Sequence, residues 1–260
     1  MSHPLRGTTA IVGIGNTKRW NAPGRTPFDQ LQEASILALE NCGLRMTDVD
    51  GLFCAMSTSG LPVLNIAERL GVKPRHADGT MVGGASFLFH LQSAMSALVN
   101  GLCDTALICY GSNQLTAGGK LAAMPELATT CAVESGQRAY AMAGVGPKDI
   151  HHLMVYDAFT INTLLFLEDL GFCAKGEAGA LVSSGAISPG GRLPVNTNGG
   201  GLSCNHPGMY GLFTLIESVQ QLRGECGARQ VDGVELSLAH ANGGVLSSQA
   251  TAILGTAATL

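Results

Sequence analysis

The stretch "ILALENCGLRMTDVDGLF", residues 36–53, decides the fold because it recurs as "QRAYAMAGVGPKDIHHLM", residues 137–154. Placing Gly43 on Gly144 also sets Ala38 on Ala139, Leu44 on Val145, Asp48 on Asp149, Val49 on Ile150 and Leu52 on Leu153. In each copy an alanine-rich helix stops at a glycine in the C′ position, where a left-handed residue closes the last turn. A turn carrying Asp follows, then a strand, "VDGLFCA" in one copy and "IHHLMVYDA" in the other. Working outward, "FHLQSAMSALVNGLCDTALICYGSN" reads as helix then strand. "YGLFTLIESVQQLRGECGARQVDGVELSLAHANGG" reads as helix, hydrophilic loop and strand. Each half is therefore helix, strand, glycine loop, helix, strand, with the continuous apolar strands of sheets covered on both faces. The expectation is an α/β protein of two duplicated halves, 1–117 and 118–260, packed about a shared core with their glycine loops converging.

Composition narrows the class. The chain has 260 residues, 46% hydrophobic and only 13% charged, with 35 glycines. Charge that sparse predicts a surface partly covered by another subunit. A net charge of −4 with no basic run argues against nucleic acid as a partner. No apolar run reaches the roughly 18 residues that span a bilayer, and the first residues lack a signal-peptide layout. The eight cysteines show no CxxC and no zinc-finger spacing with histidine, so reduced thiols in the cytoplasm are expected and no metal site is.

Four places carry candidate chemistry. In "DGTMVGGASFLFHLQSAMSALVNG", 78–101, the Gly83-Gly84 pair leads into a helix apolar nearly all round, and such helices sit at domain centres. Free N–H groups at its start favour negative charge, yet no Ser, Cys or Lys stands at the elbow. His90, on that helix, reads as structural. In "MVYDAFTINTLLFLEDLGFC" a strand ends at Tyr156-Asp157 and a helix begins. Capping by Asp157 or Thr160 explains those two residues, and a core tyrosine explains Tyr156 equally well. "PVNTNGGGLSCNHPGMYGLF", 194–213, is too polar and glycine-rich for a plain connector, and its glycines allow a ligand close to His206. In "SLAHANGGVLSSQATAIL", 237–254, His240 with Gly243 and Gly244 has the makings of an oxyanion hole, though a tight turn between core strands accounts for the same residues. "IVGIGNTKRW" has GxG without GxGxxG and reads as a strand end.

The order of these motifs resembles the thiolase superfamily, in particular its sterol-carrier-protein-x-like branch. "IVGIGNTK", "GGASFLFHLQSAMSALVNGLCDTALICYGSNQ", "AGVGPKDIHHLMVYDAFTINTLLFLEDLGFC", "NTNGGGLSCNHPGMYGLFTLIESVQQLRGE" and "HANGGVLSSQATAILG" carry the likeness, which covers most of the chain. The resemblance implies a layered αβαβα core. It places the nucleophilic cysteine of thiolases at Gly83, the histidine of their GHP motif at His206 (preceded here by Asn205), and the cysteine of their CxGG motif near His240-Ala241. Their asparagine-glutamate pair becomes Tyr156-Asp157.

Both thiols are thus absent by this alignment, and a glycine cannot carry an acyl group. The steroid side-chain-cleaving aldolases of the superfamily look similar. Their chemistry implies retro-aldol cleavage of a bulky β-hydroxyacyl-CoA, with Tyr156 and Tyr210 as acid/base groups. His206 and His240 would orient the thioester or stabilise the enolate. Asn205 and the N–H groups around Gly200, with Gly83, Gly84, Gly243 and Gly244, would line the oxyanion and substrate site. Coenzyme A enters only as part of the substrate. The resemblance also implies a homodimer and a partner subunit with a zinc ribbon and an OB-fold. Two alternatives stay open: a thiolase with Cys204 as displaced nucleophile, and a non-catalytic acyl-CoA-binding subunit. The family's long loop domain is reduced here to Gln114–Pro125.

Overall fold

The computed structural model describes residues 5–17, 25–56, 61–112, 128–204, 209–244, 246 and 248–259. The first half runs α1 (Pro27–Asn41), β1 (Gly51–Cys54), α2 (Pro62–Leu70), β2 (His76–Asp78), α3 (Ser86–Val99) and β3 (Ala106–Cys109). The second runs α4 (Ala132–Ala143), β4 (His152–Val155), α5 (Thr160–Asp169), α6 (Ala178–Ser183), α7 (Gly211–Leu222), β5 (Leu236–Gly243) and β6 (Ser248–Gly255). The repeat is physical. Gly43 and Gly144 both take positive φ, 73° and 67°, just past α1 and α4. Asp48 and Asp149 then close equivalent turns, each accepting a backbone N–H at 2.8 Å, from Arg45 and from Gly146.

The sheets are ordered β2-β1-β3, all parallel, and β4-β5-β6, with β4 parallel and β6 antiparallel to β5. Helices α1 and α2 cover the outside of the first sheet around Leu31, Leu52, Ile66 and Leu107. Helices α4, α5 and α6 cover the outside of the second around Leu153, Val155, Phe166, Leu167 and Leu238. Between the sheets lie α3 and α7, which gives the expected αβαβα layering. Helix α3 is buried at its start, through Phe87 and Leu88, and surfaces at Val99, so its apolar circumference serves mainly the first turns.

Two sequence expectations change. No strand forms at "IVGIGNTK" over residues 11–17. Gly13 and Gly15 lie so close to the Ala34–Ala38 backbone of α1 that a Cβ would stand 2.2 Å and 2.4 Å from it. The segment therefore packs on a helix instead of joining a sheet. Its carbonyls at Ile11 and Val12 accept from Arg223, at the end of α7. Nor does Asp157 or Thr160 cap α5, whose N-cap is Phe159 with no side-chain hydrogen bond. The short span Gln114–Pro125 lies outside the described residues.

The start of α7 touches the elbow ahead of α3 through bare backbone. A Cβ on Gly211, the first residue of α7, would stand 2.1 Å from the carbonyl oxygen of Gly84. Gly211→Ala is expected to destabilise the chain by about 2–3 kcal/mol, because neither backbone can yield. Gly179→Ala, where an added Cβ meets nothing within 4 Å, should be neutral or stabilising by up to about 0.5 kcal/mol. Urea unfolding of both variants checks the contrast.

Candidate active site

Register decides which side chains can meet. In the β4–β5 pairing Val155 lies beside His240, so Tyr156, one residue on, falls on the same face as Ala239 and Ala241. That face looks toward α3 and α7. There Tyr156 and Tyr210 pack with Ala85, Leu88, Ala239, Ala241 and Leu215. The two phenol rings lie 5.5 Å apart between centroids, tilted by 42°, and Tyr210 stacks on Phe213 at 5.6 Å. Tyr156 is 4% exposed and Tyr210 is fully buried.

The glycine elbow closes on this pair. Gly83 has φ of 70°, and a Cβ there would stand 2.9 Å from the Gly243 Cα and 3.3 Å from the Gly244 nitrogen. A Cβ on Gly84 would meet the Tyr156 ring at 2.1 Å and the Asn242 carbonyl at 2.5 Å. Ser86 locks the elbow, its Oγ donating to the Gly83 carbonyl at 2.7 Å and accepting the Val82 N–H at 3.0 Å. The structure thus brings together Gly83, Gly84, Gly243, Gly244, Tyr156 and Tyr210. Tyr156's ring occupies the volume that a side chain at Gly84 would need.

The two phenols differ in how they are held. Burial raises the Tyr156 pKa, and the charge of Asp157 raises it further; the backbone N–H groups of Tyr210 and Met209 pull it back down. Those two groups directly precede α7, whose dipole also favours negative charge there. Tyr210 is different: its hydroxyl donates to the Asn198 side-chain oxygen at 2.8 Å, and burial drives its pKa far up. It is held as a neutral donor.

Three expectations are corrected or left outside. His240 points away, to the α4–α5 side, with its ring 4.5 Å from that of Phe166. Gln249 donates its Nε2 to the Leu246 carbonyl, so its Oε1 accepts from His240 Nε2 at 2.9 Å, and His240 Nδ1 accepts from Thr251 at 2.9 Å. Both nitrogens are engaged, and His240 is a core residue that cannot reach the tyrosines. The N–H groups of Gly199, Gly200 and Gly201 are also engaged, by the Asn196 carbonyl, the Asn198 side chain and Asp157. Gly200 instead leaves room for Asp157, whose Oδ2 lies 2.1 Å from where its Cβ would be. Gly200 therefore orders a buried carboxylate, and its N–H does not face a ligand. Asn205 and His206 lie outside the described residues.

Two participants escaped the sequence reading. Tyr110 ends β3 as Tyr156 ends β4, packs on Phe87 at 5.2 Å and on Met209, and has its pKa pushed to about 12, chiefly by burial. The parallel between "ALICY" and "HLMVY" was the available signal. Asn198 was hidden among neighbours of the same type. His90, read as structural, is fully buried beside Phe53 and Phe87.

This geometry now meets its relatives. A family model described as thiolase C-terminal domain-like matches residues 114–256, more than half of the chain. The chain belongs to the thiolase family. Over 113 residues, 43% of the chain, it is 43% identical to an acetyl-CoA acetyltransferase of Methanothermobacter thermautotrophicus. Over another 113-residue alignment, 44% of the chain, it is 44% identical to the 17-hydroxy-3-oxo-4-pregnene-20-carboxyl-CoA lyase of Mycobacterium tuberculosis. These alignments cover 30% and 28% of the two proteins, so this thiolase chain matches less than a third of either. Among solved structures, the Ltp2-ChsH2(DUF35) aldolase superposes with a TM-score of 0.81 at 20% identity, covering 95% of this chain and 97% of that one, a likeness of fold.

Among the described residues, burial disfavours the charged form of three core imidazoles, His240, His152 and His90. Burial lowers His240 to about 4 and His152 to about 4, in the latter case against the pull of Glu217. Between pH 6.5 and about 4 the unfolded chain therefore binds protons that the folded chain refuses. Stability is fully present above that window and should fall as pH drops through it, by up to about 1.4 kcal/mol per pH unit for each histidine. Urea midpoints at about pH 7.5, 6 and 5 read the slope directly; a flat profile would show that these rings are not buried and neutral.

Proposed function

We propose that this member of the thiolase family cleaves a carbon–carbon bond in a bulky β-hydroxyacyl-CoA by a retro-aldol step. The observation that carries the reading is the Tyr156 phenol, set against the bare Gly83-Gly84 elbow with the N–H groups of Tyr210 and Met209 acting on its oxygen. An elbow of two glycines offers no nucleophile, and its free space is filled by an acid/base group. As phenolate, Tyr156 takes the proton of the β-hydroxyl. The O–H electron pair becomes the new carbonyl, the Cα–Cβ bond breaks, and its electrons form the enolate of the departing acyl-CoA. As phenol, Tyr156 returns that proton to the enolate carbon, so the enzyme ends as it began. Tyr210, kept neutral by burial with its hydroxyl on Asn198, walls the pocket and keeps Tyr156 in place. The names lyase and aldolase among the relatives support this reading.

The two-component name of the Ltp2-ChsH2(DUF35) aldolase supports a partner subunit here as well, which we take to be a zinc-ribbon and OB-fold chain on a homodimeric core. The eight free cysteines fit a reducing cytoplasm, and among the described residues no helix is long and apolar enough to cross a membrane. A second reading keeps thiolase chemistry with Cys204, which is half-buried beside the same tyrosine cluster.

In the assembled protein, Tyr156→Phe should lower kcat on a steroid β-hydroxyacyl-CoA by roughly 10²–10⁴-fold with little change in KM. Iodoacetamide should leave activity intact. Stoichiometric inactivation through Cys204 would favour the second reading, and an active Tyr156→Phe would sink the first. Because burial holds the phenol above its ordinary value of 10, kcat/KM should climb with pH by about tenfold per unit through the neutral range.

A further inference from the structure

Behind the tyrosine pair, on the same face of the second sheet, lies a buried polar cluster with no part in the proton transfer just described. Its hub is Thr197, which follows the left-handed Asn196 (φ 52°) and precedes Asn198, the residue that accepts the Tyr210 hydrogen bond. Thr197 Oγ1 donates to Glu217 at 2.7 Å and is met by His152 Nε2 at 2.9 Å and Gln221 Nε2 at 3.1 Å. Gln221 is fixed in orientation, because its Oε1 accepts the Val231 N–H at 2.9 Å. With the Thr197 proton committed to Glu217, His152 must donate from Nε2 and accept from Ser237 at Nδ1, 2.8 Å away. Glu217, 2% exposed, is paired with Arg229 through two guanidinium nitrogens.

Two consecutive loop residues are therefore tied to one helix. Asn198 holds Tyr210, at the N-cap of α7, while Thr197 holds Glu217 and Gln221 two and three turns further along it. A buried carboxylate matched by Thr197, Gln221 and Arg229 is a demanding arrangement if all it does is fill space, since each unmade bond leaves a desolvated group. It leaves the loop one position relative to α7.

We propose that Thr197, braced by Glu217–Arg229, His152 and Gln221, is a positioning residue that sets Asn198 and thereby the orientation of the Tyr210 phenol against Tyr156. The catalytic consequence rests on the retro-aldol reading, whereas the structural coupling does not. Without the Thr197 hydroxyl the loop loses its register on α7, and the Tyr210 hydroxyl is free to leave Asn198.

The test compares Thr197→Val, which keeps shape and loses the hydroxyl, with Thr197→Ser, which keeps the hydroxyl. The chain has four tyrosines, so Cζ-labelled tyrosine gives few, assignable carbon resonances. In Thr197→Val the Tyr210 resonance should move while that of Tyr140 stays; in Thr197→Ser neither should move. On a cleaved β-hydroxyacyl-CoA, Thr197→Val should lose on the order of tenfold to a hundredfold in kcat at near-constant KM, with Thr197→Ser close to the parent. Should Thr197→Val fail to fold, Gln221→Leu, which removes one donor to Thr197, takes its place with the same expected shift. A Tyr210 resonance unmoved in the folded variant, or moved equally by Thr197→Ser, overturns the proposal. If the parent protein cleaves nothing, the retro-aldol reading fails, and the resonance shift alone still decides the coupling.

Discussion

The structure depends on one contact without side chains. Gly84 presents its carbonyl to Gly211, and neither residue has a side chain to put between the elbow ahead of α3 and the start of α7. Helix packing usually proceeds through side chains with axes some 8–10 Å apart. Here backbone approaches backbone, and the consequence runs both ways along the chain. The start of α7 is drawn up to the elbow, which brings the N–H groups of Met209 and Tyr210 onto the Tyr156 phenol. The β5–β6 hairpin is drawn in as well, because Gly243 lies against the Val82 carbonyl with equally little to spare. One steric requirement therefore assembles residues from α3, β4, β5 and α7 at a single point.

Polar groups then hold this arrangement from the rear, separately on each face of the second sheet. On the inner face Glu217 gathers Thr197, Gln221 and Arg229. On the outer face a chain runs from Asp169 through Thr130 and Gln249 to His240, Thr251 and Ser135. This second chain anchors both strands of the hairpin that carries Gly243. A residue that resembled a catalytic histidine is in this way part of the support for the elbow.

Much of this was legible in the residues. The repeat gave away both halves, since helix-stopping glycines and turn aspartates have local geometric reasons to recur. The three-residue β2, "HAD", was not legible, because it shows no alternation and its pairing is decided by β1 beside it. For the site, Tyr156 and Tyr210 are singled out by the resemblance to the aldolases, since their places at a strand end and before a helix suit core tyrosines equally well. His240 could not be placed from sequence, since only the register of β4 on β5 says which face a strand residue occupies, and a shift of one residue reverses it. The glycine-rich loop reads as too polar for a plain connector. Its glycines, however, make room for Asp157, and only the folded positions reveal that.

The overlap between the Tyr156 ring and the empty side of Gly84 has a consequence for how such a site can change over generations. Any residue larger than glycine at position 84 collides with the phenol, and removing the phenol alone leaves a hole beside a bare backbone. Passage between this arrangement and one with a side chain at that elbow position requires the phenol to go and the Asn242 carbonyl to shift along with the new side chain, each change damaging without the others. Neutral drift, which takes one step at a time, crosses such a gap rarely.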